Sequence, residues 1–198
     1  MSDSDAYKAR MQRKKAHINQ QIAKADIDQG VVVVLTGNGK GKSSSALGMI
    51  CRALGYGMQV ALVQFLKGEQ ETGEDLFLSQ QANVHISKMS SGFTWESQDR
   101  AQDRQKAQES WSDAQQYLND NAIDLVVLDE LTYILNYHYL ETDEVVQAIQ
   151  NRPPHQHVVI TGRAASEALI QLADTVSDIQ DKKHAFRAHI KAQKGIDF

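Results

Sequence analysis

The chain has 198 residues, 41% of them hydrophobic, which suits one substantial core and is too short for two comfortable domains. Its net charge of −4 and its pI of about 6.0 weigh against general binding to nucleic acid or to an anionic membrane. A single cysteine excludes a disulfide within the chain, and no apolar run approaches the length of a membrane helix. We therefore predict a cytoplasmic protein built around one α/β domain.

The N-terminal residues 1–29 are predicted to form an arm or helix that precedes a domain spanning residues 30–198. The arm holds six Lys or Arg side chains against four Asp side chains. On a helix, Met11, Ile18 and Ile22 give it a narrow apolar stripe. Two interpretations stay open: a solvated tail, or an arm that folds over an anionic ligand or a partner subunit.

A strand, a glycine-rich turn and a helix follow one another between residues 31 and 54. The β-branched run Val31–Leu35 predicts a strand buried on both faces, and apolar residues at helical spacing predict a helix from about Ser44 to Leu54. Together they indicate a phosphate-binding loop, or P-loop. The match is imperfect, because the usual eight-residue motif begins with a glycine where this chain has Thr36.

The residue types in the turn suit the binding of a phosphate chain. Gly37, Gly39 and Gly41 allow successive backbone N–H groups to turn toward an anion, and the positive end of the next helix adds to that field. Lys42 offers a mobile positive charge, and the Ser43 hydroxyl is placed to ligate a Mg²⁺ ion that bridges the phosphates. The alternative is a glycine turn that only joins two structural elements.

Strands and helices alternate along the rest of the chain, which predicts a parallel sheet covered on both faces. Cys51, inside the helix predicted from about Ser44 to Leu54, is predicted to be a small buried residue. The remaining predicted elements are strand 59–66, helix 74–80, strand 84–86, helix 98–121, strand 123–130, helix 142–151, strand 158–163, helix 165–172 and edge strand 175–179.

Two of the predicted strands end in charged residues. The strand over 123–130 ends in Asp129 and Glu130, and in P-loop proteins such a strand lies beside the loop strand, where an acid can hold the magnesium shell opposite Ser43. The strand over 158–163 ends in Arg163, whose guanidinium is predicted either to reach the phosphates or to form a surface ion pair.

Two large aromatic residues, Phe93 and Trp95, lie in a segment of small and polar residues between the third strand and the longest helix. They have no periodic reason to belong to a core. They either fold back onto the domain or form an apolar wall for a flat ligand.

Five blocks of sequence occur in one order along the chain: Thr36–Ser43, Gly92–Trp95, Leu128–Tyr133, Ile160–Arg163 and Lys191–Phe198. This series resembles the ATP:corrinoid adenosyltransferases of the bacterial cobalamin pathway. In that family the first glycine of the loop is displaced in the same way. The resemblance implies a three-layer α/β fold of the P-loop, RecA-like type, with a mostly parallel central sheet and helices on both faces.

The resemblance also implies a reaction. The cobalt(I) of cobalamin, or of a corrinoid precursor, attacks the 5′ carbon of ATP and expels triphosphate, with ATP bound in the reverse direction along the loop. Cobalt(I) is a strong nucleophile and needs no general base, so Lys42 and Arg163 act by neutralising the leaving group. The implied cofactor is Mg²⁺, with Mn²⁺ as an alternative ion, and the implied partners are a second copy of the chain and a reduced flavoprotein.

The family's site residues carry over to matching positions of this sequence. Glu130 and Ser43 are expected to ligate the metal with Asp129 beside them, while Phe93 and Trp95 are expected to occupy the lower face of the corrinoid. The residues expected to bind ATP are Gly37, Asn38, Gly39, Lys40, Gly41, Lys42, Ser43 and Ser44, with Arg52 as a further phosphate contact.

Two other functions remain open from the sequence. A P-loop ATPase or phosphoryl transferase would use Glu130 to activate water or a substrate hydroxyl, and would release ADP rather than triphosphate. A nucleotide sensor without catalytic activity would use its aromatic loop to bind a protein.

Overall fold

The computed structural model describes residues 3–66, 71–89 and 99–198. Over these ranges, no helix combines the length and the apolar character needed to cross a membrane. The helices are α1 Asp3–Ile22, α2 Lys42–Gly55, α3 Gly73–Leu78, α4 Arg100–Asn119, α5 Leu131–Asn136, α6 Thr142–Gln150, α7 Glu167–Leu172 and a 3₁₀ helix over Ala185–Ala188. The strands are β1 Val32–Thr36, β2 Val60–Gln64, β3 Val84–Lys88, β4 Leu125–Asp129, β5 His157–Thr161 and β6 Thr175–Asp178.

The six strands form one sheet in the order β3-β2-β4-β5-β1-β6, and every pair of neighbours is parallel. The carboxyl ends of all six strands therefore lie along one edge, which is where ligands bind in open α/β sheets. The predicted parallel sheet is confirmed, and so is the position of β6 at an edge.

Helices cover both faces of this sheet. Alternate strand residues such as Leu62 and Val127 pack with Ala46 and Ile50 of α2 on one face. The intervening residues, such as Val126, pack with side chains of α4 to α7 on the other face. The three-layer architecture expected from the sequence is therefore confirmed.

The predicted position of β4 beside the loop strand is wrong. β4 pairs with β2 and β5, and β5 lies between β4 and β1. Order along the chain does not determine order in a sheet, because strand pairing is set by long-range packing. Since all strands are parallel, Asp129 at the end of β4 still reaches the same edge as the loop after β1.

Two further details concern α1 and α2. α1 forms, and its apolar residues Met11, Ile18 and Ile22 are 37%, 45% and 65% exposed. In α2, the side of the helix that carries Ile50 faces the sheet, whereas Cys51 is exposed, so the prediction of a buried cysteine is wrong. One residue of helix turns a side chain by about 100°, enough to move it off the buried face.

Candidate active site

The loop between β1 and α2 is built around three glycines, of which Gly37 and Gly39 approach the end of β6 closely. Gly37 and Gly41 have φ angles of 98° and 117°, which L side chains rarely adopt. A Cβ at Gly39 would come within 2.6 Å of the Ile179 carbonyl oxygen, and the Gly39 N–H donates a hydrogen bond to that oxygen at 2.6 Å. The end of β6 thus fixes the path of the loop.

Lys42 begins α2, and its side chain lies inside the loop. The ammonium donates a hydrogen bond to the Gly39 carbonyl oxygen at 2.7 Å, and the residue is only 6% exposed. Burial lowers the pKa of Lys42 below its ordinary value of 10.5, while attraction to Glu130 opposes that shift. The Gly39 oxygen therefore holds a positive charge inside the glycine loop, and the acids at the end of β4 favour that charge.

Two acidic residues stand at the end of β4. Asp129 is 8% exposed and accepts a hydrogen bond of 2.6 Å from the Thr161 hydroxyl, which in turn accepts one from the Glu130 N–H at 2.9 Å. Glu130 has a left-handed backbone, with φ of 58°. Burial raises the pKa of Glu130, and the charge of Asp129 raises it further, while Lys42 lowers it. Two ionised carboxylates side by side are therefore unfavourable here unless a cation binds beside them.

Arg163 follows β5 after a residue that has to be glycine. Gly162 has φ of 140°, and a Cβ there would overlap the Thr132 hydroxyl. That hydroxyl donates to the Arg163 carbonyl oxygen at 2.7 Å, and the Asn136 amide donates to the same oxygen at 3.2 Å. The backbone of Arg163 is therefore fixed from α5, while its exposed guanidinium borders the cavity described next.

A cavity of about 1020 Å³ joins these parts. A nucleoside triphosphate and part of a larger ligand fit within that volume. Its wall includes loop residues 38–44, the strand-end residues Gln64, Asp129, Glu130 and Arg163, and residues of the C-terminal segment such as His184, Arg187 and Phe198.

The C-terminal segment is a part of the site that sequence reasoning did not assign. Asp197 forms an ion pair with Lys40 at 2.7 Å, which links the last residues to the phosphate loop. Arg187 also borders the cavity, with its guanidinium held by Asp181 through hydrogen bonds of 2.6 and 2.8 Å. The resemblance of Lys191–Phe198 to the family marks this segment in the sequence but assigns no role to its residues.

Most of the predicted ATP and metal residues meet in this cavity, including residues 38–44, Asp129, Glu130 and Arg163. Gly37 lies beside it, lining a smaller cavity with Asp178. Arg52 is exposed in the last turn of α2, about 15 Å along the helix from Lys42, and is not among the residues that line the cavity. Phe93 and Trp95 lie outside the described residues.

The oxygen donors in the cavity suit Mg²⁺ better than a transition metal. The described part of the chain contains no group of three or more His, Cys, Asp or Glu residues arranged for a metal ion. Mg²⁺ usually takes one or two carboxylates together with substrate phosphates and retained waters. Ser43, Asp129 and Glu130 match that kind of donor set.

The chain was also compared with known proteins. The family model for ATP:corrinoid adenosyltransferase BtuR/CobO/CobP matches residues 28–198. A corrinoid adenosyltransferase of Pseudomonas aeruginosa is 51% identical over 195 residues, covering 97% of this chain and 95% of the relative. One from Escherichia coli K12 is 45% identical over the full length of both chains. Among solved structures, a KaiC-like protein from Pyrococcus horikoshii is 15% identical with a TM-score of 0.41, covering 78% of this chain and 74% of that one.

Proposed function

Because the chain belongs to the ATP:corrinoid adenosyltransferase family, it transfers the adenosyl group of ATP to a corrinoid in cobalamin metabolism, and we propose that residues 37–44 hold the leaving triphosphate. The observation that carries this assignment is the meeting of Lys42, Glu130 and Arg163 in one cavity with the glycine loop. Two cations beside the N-terminus of α2 match the charge of a polyphosphate chain.

In the reaction, the electron pair of cobalt(I) forms a bond to the 5′ carbon of ATP. The bond from that carbon to the 5′ oxygen breaks, and its electron pair leaves on the triphosphate. We place the triphosphate in the loop with the ribose turned outward, so that the sugar carbon rather than the terminal phosphorus faces the corrinoid. The cavity volume of about 1020 Å³ supports this proposal only in leaving room for a second large ligand beside the triphosphate.

Lys42 and Arg163 stabilise the negative charge that grows on the leaving triphosphate. Lys42 is already held inside the loop by the Gly39 oxygen, so little reorganisation is needed when charge develops. Arg163 has a fixed backbone and an exposed side chain, which lets its guanidinium adjust to the phosphate oxygens. No proton needs to be removed from cobalt(I), so the mechanism assigns no general base.

A Mg²⁺ ion bound with ATP would be held by Ser43 and Glu130, with Asp129 beside them. The ion would supply further neutralisation of the triphosphate charge, and Mn²⁺ offers the same coordination chemistry. The raised pKa of Glu130 supports this role, because a cation there relieves the repulsion between Glu130 and Asp129.

For the corrinoid, we propose that Phe93 and Trp95 cover its lower face. By excluding a lower axial ligand, the two rings would favour four-coordinate cobalt(II), which accepts an electron more readily from a reduced flavoprotein. Their position in the chain supports the proposal: they precede α4, whose first residue, Arg100, donates a hydrogen bond to the Tyr137 carbonyl oxygen. Tyr137 belongs to a tyrosine cluster with Tyr133, which borders the cavity.

The arm over residues 1–29 is proposed to close over an active site across a homodimer of the domain formed by residues 30–198. The exposed apolar residues Met11, Ile18 and Ile22 of α1 support this proposal, because at helical spacing they form a narrow stripe for a partner surface to cover. The use of ATP, together with the proposed electron transfer from a reduced flavoprotein, supports a cytoplasmic location.

An anaerobic assay with ATP, Mg²⁺ and chemically reduced cobalamin tests the proposed function. We expect a light-sensitive organocobalt product and an equal amount of triphosphate. Release of ADP and phosphate, with the corrinoid unchanged, would instead support a P-loop ATPase or phosphoryl transferase.

A further inference from the structure

Gln64, the last residue of β2, carries a buried polar atom that has no partner. The residue is 3% exposed, and its side-chain oxygen Oε1 makes no hydrogen bond within the described structure. It also borders the large cavity. A buried carbonyl oxygen without a donor lowers stability, so a native protein that keeps one usually has a ligand or water for it.

The neighbours of Gln64 show what such a ligand would meet. Gln64 pairs in register with Asp129 across β2 and β4, and Thr161 occupies the next position on β5. These three residues form a buried polar row on the face of the sheet that packs against α2. The Thr161 hydroxyl satisfies Asp129, which leaves Gln64 as the unsatisfied end of the row.

The chemistry of the cavity limits which donor can reach this oxygen. Triphosphate oxygens and ionised carboxylates only accept hydrogen bonds, so they cannot serve Gln64 Oε1. A Mg²⁺ ion keeps several of its water molecules when it binds phosphates, and those waters are strong donors. The Lys42 ammonium already donates to the Gly39 carbonyl oxygen. Because Gln64 pairs with Asp129 across β2 and β4, a water on an ion held by Asp129 is the donor that the loaded site would add beside it.

We propose that Gln64 accepts a hydrogen bond from a water molecule on the Mg²⁺ ion held by Ser43, Glu130 and Asp129, and so positions that ion. This inference rests on the metal site of the proposed function. Gln64 touches neither the triphosphate nor the metal directly, which makes it a positioning residue. Its backbone already lies beside Asp129, since the Phe65 N–H donates to the Asp129 carbonyl oxygen at 3.0 Å.

The test is the affinity of the enzyme–ATP complex for Mn²⁺, measured without corrinoid by the electron paramagnetic resonance of the free ion. Gln64→Met removes the acceptor while keeping a side chain of similar length. We expect about 10-fold to 100-fold weaker Mn²⁺ binding, the usual effect of losing a partner of a metal ligand or its water. Gln64→Glu restores an acceptor and is expected to bind Mn²⁺ at least as tightly as the wild type.

A matched control is Gln59→Met, which makes the same change near the opposite end of β2 and is expected to leave Mn²⁺ affinity unchanged. In the metal-free protein, Gln64→Met is expected to keep or raise the melting temperature, because it removes an unsatisfied buried oxygen.

Three results would overturn the inference. They are unchanged Mn²⁺ affinity in Gln64→Met, an equal loss of ATP binding without metal, and a lower melting temperature of the metal-free variant, which would indicate a purely structural role. The assay for adenosylated corrinoid in the wild type is independent of all three. A wild type that makes no such product refutes the proposed function even where the Mn²⁺ data stand.

Discussion

Replacing Lys42 by alanine is expected to separate activity from stability. Lys42 is 6% exposed, and its ammonium donates a hydrogen bond to the Gly39 oxygen. Loss of that charged hydrogen bond costs about 1–3 kcal/mol, but removal of a buried cation offsets part of the cost. We therefore expect a net change in the free energy of unfolding of less than about 2 kcal/mol. In a chain of this size, that corresponds to a melting-temperature shift of less than about 8 °C.

The effect of Lys42→Ala on catalysis is expected to be far larger. Removal of one preorganised donor to a developing negative charge usually costs about 100-fold to 1,000-fold in rate, or about 2.7–4 kcal/mol in the barrier. The assay is anaerobic adenosylation of reduced cobalamin at saturating ATP and Mg²⁺, with thermal unfolding recorded on the same samples. Arg104→Ala, which removes an exposed cation from α4, is the control and is expected to change neither quantity.

Two outcomes contradict this reasoning. A rate for Lys42→Ala within a few-fold of the wild type would remove the lysine from charge neutralisation. A fall in melting temperature well beyond about 8 °C would mean that Lys42 holds the loop together, and that any loss of activity follows from misfolding.

Three further predictions address the pH dependence, the loop and the corrinoid face. Burial raises the pKa of Glu130, so the folded protein holds the proton on this carboxyl more tightly than the unfolded chain does. The protonated carboxyl therefore contributes its full share of stability below the ordinary pKa of 4.5. That share declines as pH rises through the pKa in the folded protein. Glu130→Gln is therefore expected to raise the melting temperature at neutral pH but not in acid, as thermal unfolding between about pH 4 and pH 8 would reveal; the same increase at both ends would contradict the assignment. At Gly41, with φ of 117°, an added Cβ meets no atom within 4 Å, so Gly41→Ala is expected to cost only backbone strain, about 1–3 kcal/mol. At Gly39, which has no positive φ, the added Cβ must displace the Ile179 and Gln180 carbonyls, so Gly39→Ala is expected to unfold at a clearly lower temperature than Gly41→Ala. Equal losses in thermal unfolding would count against the close approach of the end of β6. Trp95→Ala is expected to slow the reaction that starts from cobalt(II) more than the one that starts from chemically reduced cobalt(I), and equal slowing in stopped-flow assays would remove its proposed axial role.

The parts of the fold that sequence analysis predicted well are those set by local patterns. The strand β1, the glycine turn and α2 follow from an apolar run, a cluster of glycines and a helical period, all within residues 31–54. The placement of β4 was wrong because strand order depends on which faces pack together, and no local pattern records that. Cys51 was misplaced because its neighbours at 50 and 53 carry the buried face.

The candidate site shows the same division. Residues next to each other in the chain, such as Lys42 and Ser43, could be assigned from the loop motif. The ion pair between Lys40 and Asp197 joins residues 157 positions apart, which is invisible to sequence patterns. Gln64 ends an apolar strand and has no sequence signal of its own, because its meaning lies in an unpartnered oxygen beside Asp129.

The central claim is that the 5′ carbon of ATP, and not a phosphorus atom, faces the nucleophile. ATP carrying oxygen-18 at the bridge between the 5′ carbon and the α-phosphorus tests this claim directly. After anaerobic turnover with reduced cobalamin, phosphorus NMR should find the label in triphosphate, bound to an end phosphorus atom. Label recovered in ADP, together with free phosphate, would contradict the account.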